Sequence, residues 1–276
     1  MTKSGSYEAS TTHPNLESEI QLLQAQVLLS WEKEARTLAW FGLQDGMSVL
    51  ELGSGPGFFT EKLLGLLPNS SITAVEINPV LTKWAEQYLQ GKASERLRIV
   101  EASIMDTRLP DNSFDFAVAR FIFQHLPDPV GAAKEVLRVL KPGGKLVIID
   151  TDKDLFWILE PPIPELQPIM KKVLQVQAAK GGNGLIGRML WRIFQAVGFQ
   201  NLDLETIVLH SDVLGIEVFL SQLDPARLMP MVQAGLLSEQ EVESLRTSHT
   251  KFLTSPDPFI LMLWLMACGE KPQLVG

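Results

Sequence analysis

The sequence predicts an α/β domain built on a mostly parallel sheet. Three observations carry that expectation. Between residues 47 and 150, short apolar runs alternate with segments of helical periodicity, the pattern of consecutive β-α-β units. The first apolar run meets a turn holding Gly53, Gly55 and Gly57 before a helical pattern begins. Glycine at a strand-to-helix turn permits positive φ and lets a ligand come close to bare backbone. With 46% hydrophobic residues in 276, the chain can bury a sizeable core in one large α/β domain or two small ones.

Taken in order, residues 1 to about 14 are polar and lack the apolar stretch of a signal peptide; disorder until something binds is expected there. Residues 15–43 read as two helices, with Asn15 as N-cap and Gly42 as a stop. Strands are expected at 47–52, 71–77, 97–102, 114–120 and 144–150. Helices are expected at 58–67, 80–90 and 128–140. Lys141 to Gly144 (KPGG) marks a helix stop and turn. Beyond Asp150 the pattern gives helices near 164–179 and 184–198, a strand near 201–210, helices over 213–253 and a last strand near 259–268. That last apolar run is too short to span a membrane and reads as a buried strand. The connection from Ser211 to Pro256 is long enough to build a lid or a pocket. One domain over 1–276 is expected, with a helical lid at 1–44, a cofactor-binding core at 45–152 and a substrate-side half at 153–276.

Composition narrows the partners. A formal net charge of -8 disfavours nucleic acid. The single cysteine, Cys268, excludes an internal disulfide and a multi-cysteine metal site, which fits a reducing, cytoplasmic setting. No membrane span and no metal are expected, and a monomer and a homodimer are equally open.

The glycine turn does not fit the G-x-G-x-x-G dinucleotide fingerprint, because Gly57 comes one position early and Phe58 stands in its place. Glu51, just before the loop, would repel a pyrophosphate. The loop therefore suits a ligand without phosphate that carries positive charge.

At this point the segment VLELGSGPG (49–57) resembles motif I of the class I S-adenosylmethionine-dependent methyltransferases. ITAVEINP, LPDNSFDFAVARFIFQHLPDP and EVLRVLKPGGKLVIID follow in order and resemble the motifs of the second, fourth and fifth strands in the ubiquinone/menaquinone-methylase-like branch (methyltransferase type 11/25). The resemblance covers roughly residues 15–152. It implies a Rossmann-like seven-stranded sheet of order 3-2-1-4-5-7-6, with the last strand antiparallel, helices on both faces and a helical cap. The implied cofactor is S-adenosyl-L-methionine, leaving as S-adenosyl-L-homocysteine.

The resemblance also assigns residues. Gly53, Ser54, Gly55 and Gly57 form the cofactor loop, and Glu51 attracts the cationic end. Glu76, about twenty residues past the loop, accepts from both ribose hydroxyls, with Ile77 beside it. The family's acidic adenine-binding position holds Ser103, followed by Ile104, so adenine recognition departs from the pattern; Asp106 is a substitute. Arg120 is a candidate cation for the methionine carboxylate, Gln26 reaches the same tail, and Tyr7 can close over the cofactor.

Methyl transfer is an in-line displacement on an activated carbon, so alignment and a dry site supply much of the acceleration. If a general base is used, His125 is the candidate by position, ahead of Asp150 and Asp152. His210 and His249 read as surface residues. The acceptor is expected to be a small, fairly apolar molecule methylated on O, N or C. Asn183 and Arg188 are candidate polar anchors, and Phe156, Trp157 and Trp191 candidate walls that serve equally well as core. An Asn-Pro-Pro-aromatic stretch is absent after the fourth strand (ARFIF stands there), which argues against nucleobase acceptors. Other S-adenosylmethionine chemistry, such as cofactor cyclisation, stays open. So does a non-catalytic binding subunit; a nicotinamide oxidoreductase is disfavoured by the glycine spacing.

Overall fold

The structure is a computed structural model that describes residues 16–92 and 95–273. It begins with a single helix, α1 (Leu16–Trp40), where two were expected. The run contains neither glycine nor proline, and Ser30 is accommodated mid-helix by donating its hydroxyl to the Gln26 carbonyl at 3.1 Å. The expected stop is where the helix ends. Gly42 sits at φ 101, and the Leu43 amide donates back to the Leu38 carbonyl at 2.9 Å, a left-handed cap.

Five strands and three helices follow: β1 (Ser48–Leu52), α2 (Phe58–Leu66), β2 (Ser71–Glu76), α3 (Pro79–Tyr88), β3 (Leu97–Glu101), β4 (Phe114–Arg120), α4 (Pro129–Val139) and β5 (Leu140–Asp150). The second half contains β6 (Trp157–Glu160), α5 (Leu166–Ala179), α6 (Leu190–Val197), β7 (Gln200–His210), the short helices α7 (Ser211–Leu214), α8 (Leu220–Leu223) and α9 (Met229–Gln233), then α10 (Glu239–Leu253) and β8 (Phe259–Glu270).

The sheet runs β3-β2-β1-β4-β5-β8. The first five strands are parallel and β8 is antiparallel to β5. Met266, Ala267 and Cys268 pair with both β5 and β7, while Leu261 and Met262 pair with both β6 and β7. Hence β7 lies on the far side of β8, and β6 continues the β5 side. The expected order holds for the long strands, and β6 is an extra strand. Its four residues precede Pro161 and Pro162, and so short a run carries little periodicity.

Side chains alternate across the sheet. Val49, Val118, Val147 and Ile149 enter one core, with α1, α2 and the insertion. Leu50, Leu52, Ala117, Ala119, Leu146 and Ile148 enter the other, with α4 and α6. Burial on both faces explains why the central strands read as continuous apolar runs. No helix among the described residues is long and apolar enough to cross a membrane.

Asp128 caps α4, its carboxylate accepting from the Gly131 amide at 2.8 Å, with Pro129 opening the helix. Asp128→Ala is expected to lower stability by about 1 kcal/mol. In urea titration the midpoint should fall with an unchanged slope; an unmoved midpoint would mean that the cap contributes nothing.

Candidate functional site

Strand order reverses between β1 and β4, and in such sheets the crevice lies at the carboxyl ends there. Gly53 leaves β1 at φ 68. A Cβ on it would lie 2.4 Å from Ile122 Cδ1, so only glycine lets the residues after β4 pack over the loop. The Gly53 and Ser54 amides donate to the Val75 carbonyl at 2.8 and 3.1 Å. Gly55 follows at φ 55 and Gly57 at φ 88, the latter starting α2.

Glu76 closes the loop from β2. Its Oε2 accepts from the Gly55 amide at 2.9 Å and its Oε1 from the Asn78 amide at 2.8 Å. Each oxygen keeps lone-pair capacity for a further donor. Burial raises its pKa while these backbone bonds pull it down. Ile77, the next residue, is 54% exposed.

Glu51 is almost fully buried beneath the loop, and its Oε2 has no hydrogen-bond partner. Burial pushes its pKa up to about 8, against the pull of the neighbouring Thr60 hydroxyl and, more weakly, of Arg120. The Ser54 hydroxyl is likewise buried without a partner. Unsatisfied buried acceptors require an explanation. A cationic ligand with hydroxyl donors, lying in a glycine cradle, would satisfy them, so these residues fit the cofactor that the sequence implies.

Arg120 corrects the expectation of a free cation at the crevice. Its Nε donates to Glu34 Oε2 at 2.9 Å, and its Nη2 to the Gln26 carbonyl at 3.0 Å and Ser30 Oγ at 3.2 Å. Arg120 and Glu34 are both buried in this ion pair. The guanidinium also lies 4.3 Å from the Phe121 ring centroid. Arg120 thus clamps α1 over the end of β4, its charge already neutralised. Gln26 corrects a second expectation, since its side-chain amide donates to Gln222 Oε1 at 3.2 Å and ties α1 to α8. Phe121, just past Arg120, is held at φ 56, a strained conformation of the kind that clusters at functional sites.

On the adenine side, Ser103 Oγ accepts from the Met105 amide at 3.1 Å, and Ile104 is buried below it. Tyr7 lies outside the described residues. Among the described residues no group of three or more His, Cys, Asp or Glu is placed to hold a metal.

His125 ends a 3-10 turn (Phe123–His125) after β4. Burial above all, and Lys153 secondarily, push its pKa down to about 3, so the ring is neutral near pH 7. Asp150 is fully buried at the end of β5, accepting from the amides of Gln124 (3.0 Å) and Thr151 (2.8 Å), and burial raises its pKa to about 7.

The two expected polar anchors are corrected. Arg188 pairs with Asp152 and Asp154, each at 2.7 Å, so its charge is spent on the fold. Asn183 is exposed and shapes a turn, accepting from the Leu185 amide at 3.0 Å. Phe156 and Trp157 meet edge-on at 4.7 Å, and Phe156 stacks on the core residue Trp264 at 6.2 Å. Trp191 is 40% exposed on α6. His210 packs beside Phe259, and the pKa of His249 is lowered by burial. Sequence reasoning missed Glu34, which pairs with Arg120, the hydrogen-bonded set Lys153, Gln177 and Gln124, and Arg227, which holds the Gln222 carbonyl. No local motif announces them, and Lys153 sits in an acidic tract that reads as surface.

Residues 50–148 match the methyltransferase-domain family. The malonyl-[acyl-carrier protein] O-methyltransferase of Paenibacillus sp. (strain JDR-2) is 38% identical over 101 residues, 36% of this chain and 37% of that protein. The ubiquinone/menaquinone biosynthesis C-methyltransferase UbiE of Shewanella sediminis (strain HAW-EB3) is 34% identical over 119 residues, 42% of this chain and 47% of that protein. The chain therefore spans less than half the length of these two curated relatives. Among solved structures, phosphoethanolamine N-methyltransferase 2 of Haemonchus contortus, in complex with S-adenosyl-L-methionine, shares the fold with a TM-score of 0.58 and 19% identity, over 88% of this chain and 53% of that one. YcgJ of Bacillus subtilis aligns with a TM-score of 0.54 and 17% identity, over 87% and 97%.

Two outcomes test this geometry. Arg120→Met leaves Glu34 buried and unpaired and should cost about 3–5 kcal/mol of stability, whereas Arg120→Met with Glu34→Leu should recover most of it; a double variant no more stable than the single would refute the clamp. Glu51 binds a proton more tightly folded (about 8) than at its ordinary value of 4.5. Its contribution is complete below pH 4.5 and is lost as pH rises toward 8. Glu51→Gln should flatten the fall in stability across that interval in denaturant titrations at successive pH values. Persistence of the full slope would assign it elsewhere.

Proposed function

We propose that this chain, whose residues 50–148 form a class I methyltransferase domain, transfers a methyl group from S-adenosylmethionine to O, N or C of a small, fairly apolar metabolite. The observation that carries the reading is the pair of buried carboxylates, Glu51 and Glu76, bracketing the glycine turn. Glu76 would repel a pyrophosphate, and Glu51, whose pKa burial raises to about 8, would give up its proton against a cationic ligand. They suit a ligand with a diol at one end and positive charge at the other.

Glu76 would hold the ribose hydroxyls, and Gly53, Ser54, Gly55 and Gly57 would line the backbone cradle. Ile77, Ser103 and Ile104 would flank the adenine, and Glu51 would face the cationic end. S-adenosylmethionine supplies a methyl group already activated by its sulfonium, and the residues around it have to orient the acceptor and exclude water. In the aromatic line Phe121, Trp264 and Phe156, with ring separations of 5.3 and 6.2 Å, Trp264 is buried core, so the half-buried Phe121 and Phe156 would be the rings that meet an apolar acceptor. His125, neutral and of low proton affinity, serves as a hydrogen-bonding group against the acceptor better than as a strong base. Alignment is then the main source of acceleration.

The test is calorimetric titration of the protein with S-adenosylmethionine, S-adenosylhomocysteine and NADH. Binding of the first two without NADH supports the reading, and binding of NADH alone overturns it. In the same assay Glu76→Ala should weaken both adenosyl ligands by about tenfold or more, since a charge-assisted pair of hydrogen bonds is lost. Affinity within error of the unmodified protein would remove Glu76 from the ribose site. Turnover yielding methylthioadenosine would replace methyl transfer by cofactor cleavage.

A further inference from the structure

Beyond the cofactor loop, the carboxyl ends of β4 and β5 are covered by a second polar layer that the family motifs do not contain. Lys153 lies three residues past β5. Its amide donates to the Gly184 carbonyl at 3.0 Å and its Nζ to Gln177 Oε1 at 2.8 Å. Gln177 in turn donates to the Gln124 carbonyl at 3.0 Å, next to His125. Arg227 comes from the opposite side, in the turn Pro225–Leu228 of the insertion. Its Nη1 donates to the Gln222 carbonyl at 2.9 Å, and the Gln222 side chain accepts from Gln26 of α1. Because the Gln26 carbonyl also accepts from Arg120, Arg227 and Lys153 are both tied to the carboxyl end of β4, through Gln26 and Gln124 respectively.

These two cations differ from the others around the crevice. Arg120 has Glu34 at 2.9 Å and Arg188 has Asp154 at 2.7 Å. Among the described residues, no carboxylate lies within ion-pair distance of Lys153 or Arg227; their hydrogen bonds go to neutral oxygens. The groups that do face them act from farther away. Asp150 and His125 face Lys153, while Glu19 and Asp224 face Arg227. The Asp150 carboxylate is engaged by two backbone amides and Asp224 by the Ala226 amide at 2.8 Å. Burial, with a smaller push from the Arg227 guanidinium, holds the Lys153 pKa down at about 8 against the pull of Asp150. Both are half-buried. Two like charges without close counter-ions are costly in such surroundings. They persist where a ligand completes them.

We propose that Lys153 and Arg227 form an oxyanion subsite that holds the methyl acceptor by one anionic group, a carboxylate or a phosphate monoester, on an apolar frame. The inference rests on the methyl-transfer reading and narrows its acceptor class. Arginine's fork matches carboxylate and phosphate oxygens, and lysine adds a point charge. Phe156, three positions beyond Lys153, begins the aromatic line that would take the apolar part.

The experiment saturates the full chain with S-adenosylhomocysteine and titrates it with benzoate, phenyl phosphate and the uncharged benzamide by calorimetry. Binding of benzoate or phenyl phosphate, with benzamide much weaker, is expected, and the tighter anion identifies the source. Lys153→Met and Arg227→Met should each weaken that anion by about tenfold or more, and Lys153→Arg should keep part of it, all with unchanged affinity for S-adenosylhomocysteine. Should either methionine variant fail to fold, Lys153→Gln and Arg227→Lys carry the same comparison. Anion binding that is absent, or equal in the variants, or matched by benzamide, overturns the subsite while the cofactor reading stands. Failure of S-adenosylhomocysteine to bind the unmodified protein overturns the methyl-transfer reading itself.

Discussion

The site depends on one backbone constraint: β1 must end in a turn that repeatedly visits positive φ. Gly53, Gly55 and Gly57 adopt φ 68, 55 and 88, conformations that cost a side-chain-bearing residue roughly 1 kcal/mol or more each. Because the chain turns there, the Gly53 and Ser54 amides reach Val75, the Gly55 amide reaches Glu76, and α2 starts at Phe58. Because Gly53 has no side chain, Ile122 packs over it and brings the segment after β4 to the same point. The ends of β1, β2 and β4 are locked together by a few atoms of bare backbone. The crevice at the reversal of strand order is the space they leave.

Holding charge beside such a crevice is the second problem, and the chain solves it in three ways. Glu51 and Asp150 are buried deeply enough that their pKa values rise to about 8 and about 7, so protonation relieves much of the desolvation penalty. Arg120 and Glu34 keep their charges but meet at 2.9 Å with Ser30 and the Gln26 carbonyl completing the donors and acceptors, the condition under which a buried ion pair is tolerated. Lys153 and Arg227 have neither remedy in full. Guanidinium cannot shed its proton in a protein, and the Lys153 ammonium yields only part of the way. The contrast among these groups separates charges used to build the fold from charges left for a ligand.

How much of this was legible in the sequence follows from range. The parallel strands were readable because each is a short apolar run with turn residues at its ends, and the order of the long strands followed from the family motifs. Glu51, Gly53 and Glu76 could be named for the same reason: each sits at a strand end within a short recognisable segment. What could not be read were partnerships between distant segments. Arg120 has the right type and place for a carboxylate-binding cation, yet Glu34, 86 residues away, already holds it. Arg188 meets Asp152 and Asp154 because the 3-10 turn before α6 (Ile186–Met189) returns to the end of β5, its Gly187 amide donating to the Thr151 carbonyl at 3.0 Å. The two helices expected over 15–43 are one, α1, because a serine bonding its own helix, as Ser30 does, is indistinguishable in sequence from one ending it. β6 escaped because four residues hold too little periodicity to register.

The same reasoning locates where specificity is built. The segment matched to the methyltransferase family ends at residue 148, and the two curated relatives align over 101 and 119 residues. Within that segment lie the glycine turn, Glu51, Glu76, Arg120 and His125. Outside it lie Gln26, Lys153, Gln177, Gln222 and Arg227. The segment matched to the family contains the groups that fit the cofactor, and the others lie before and after it in the chain. Gln26 and Gln222 touch at 3.2 Å, so the first helix is joined to an insertion nearly two hundred residues later. A contact made in this way can change while the strands keep their geometry, because no sheet hydrogen bond passes through it. Identity within the matched segment therefore speaks to the glycine turn and its carboxylates, and the proposed acceptor contacts, Lys153 and Arg227, fall outside it.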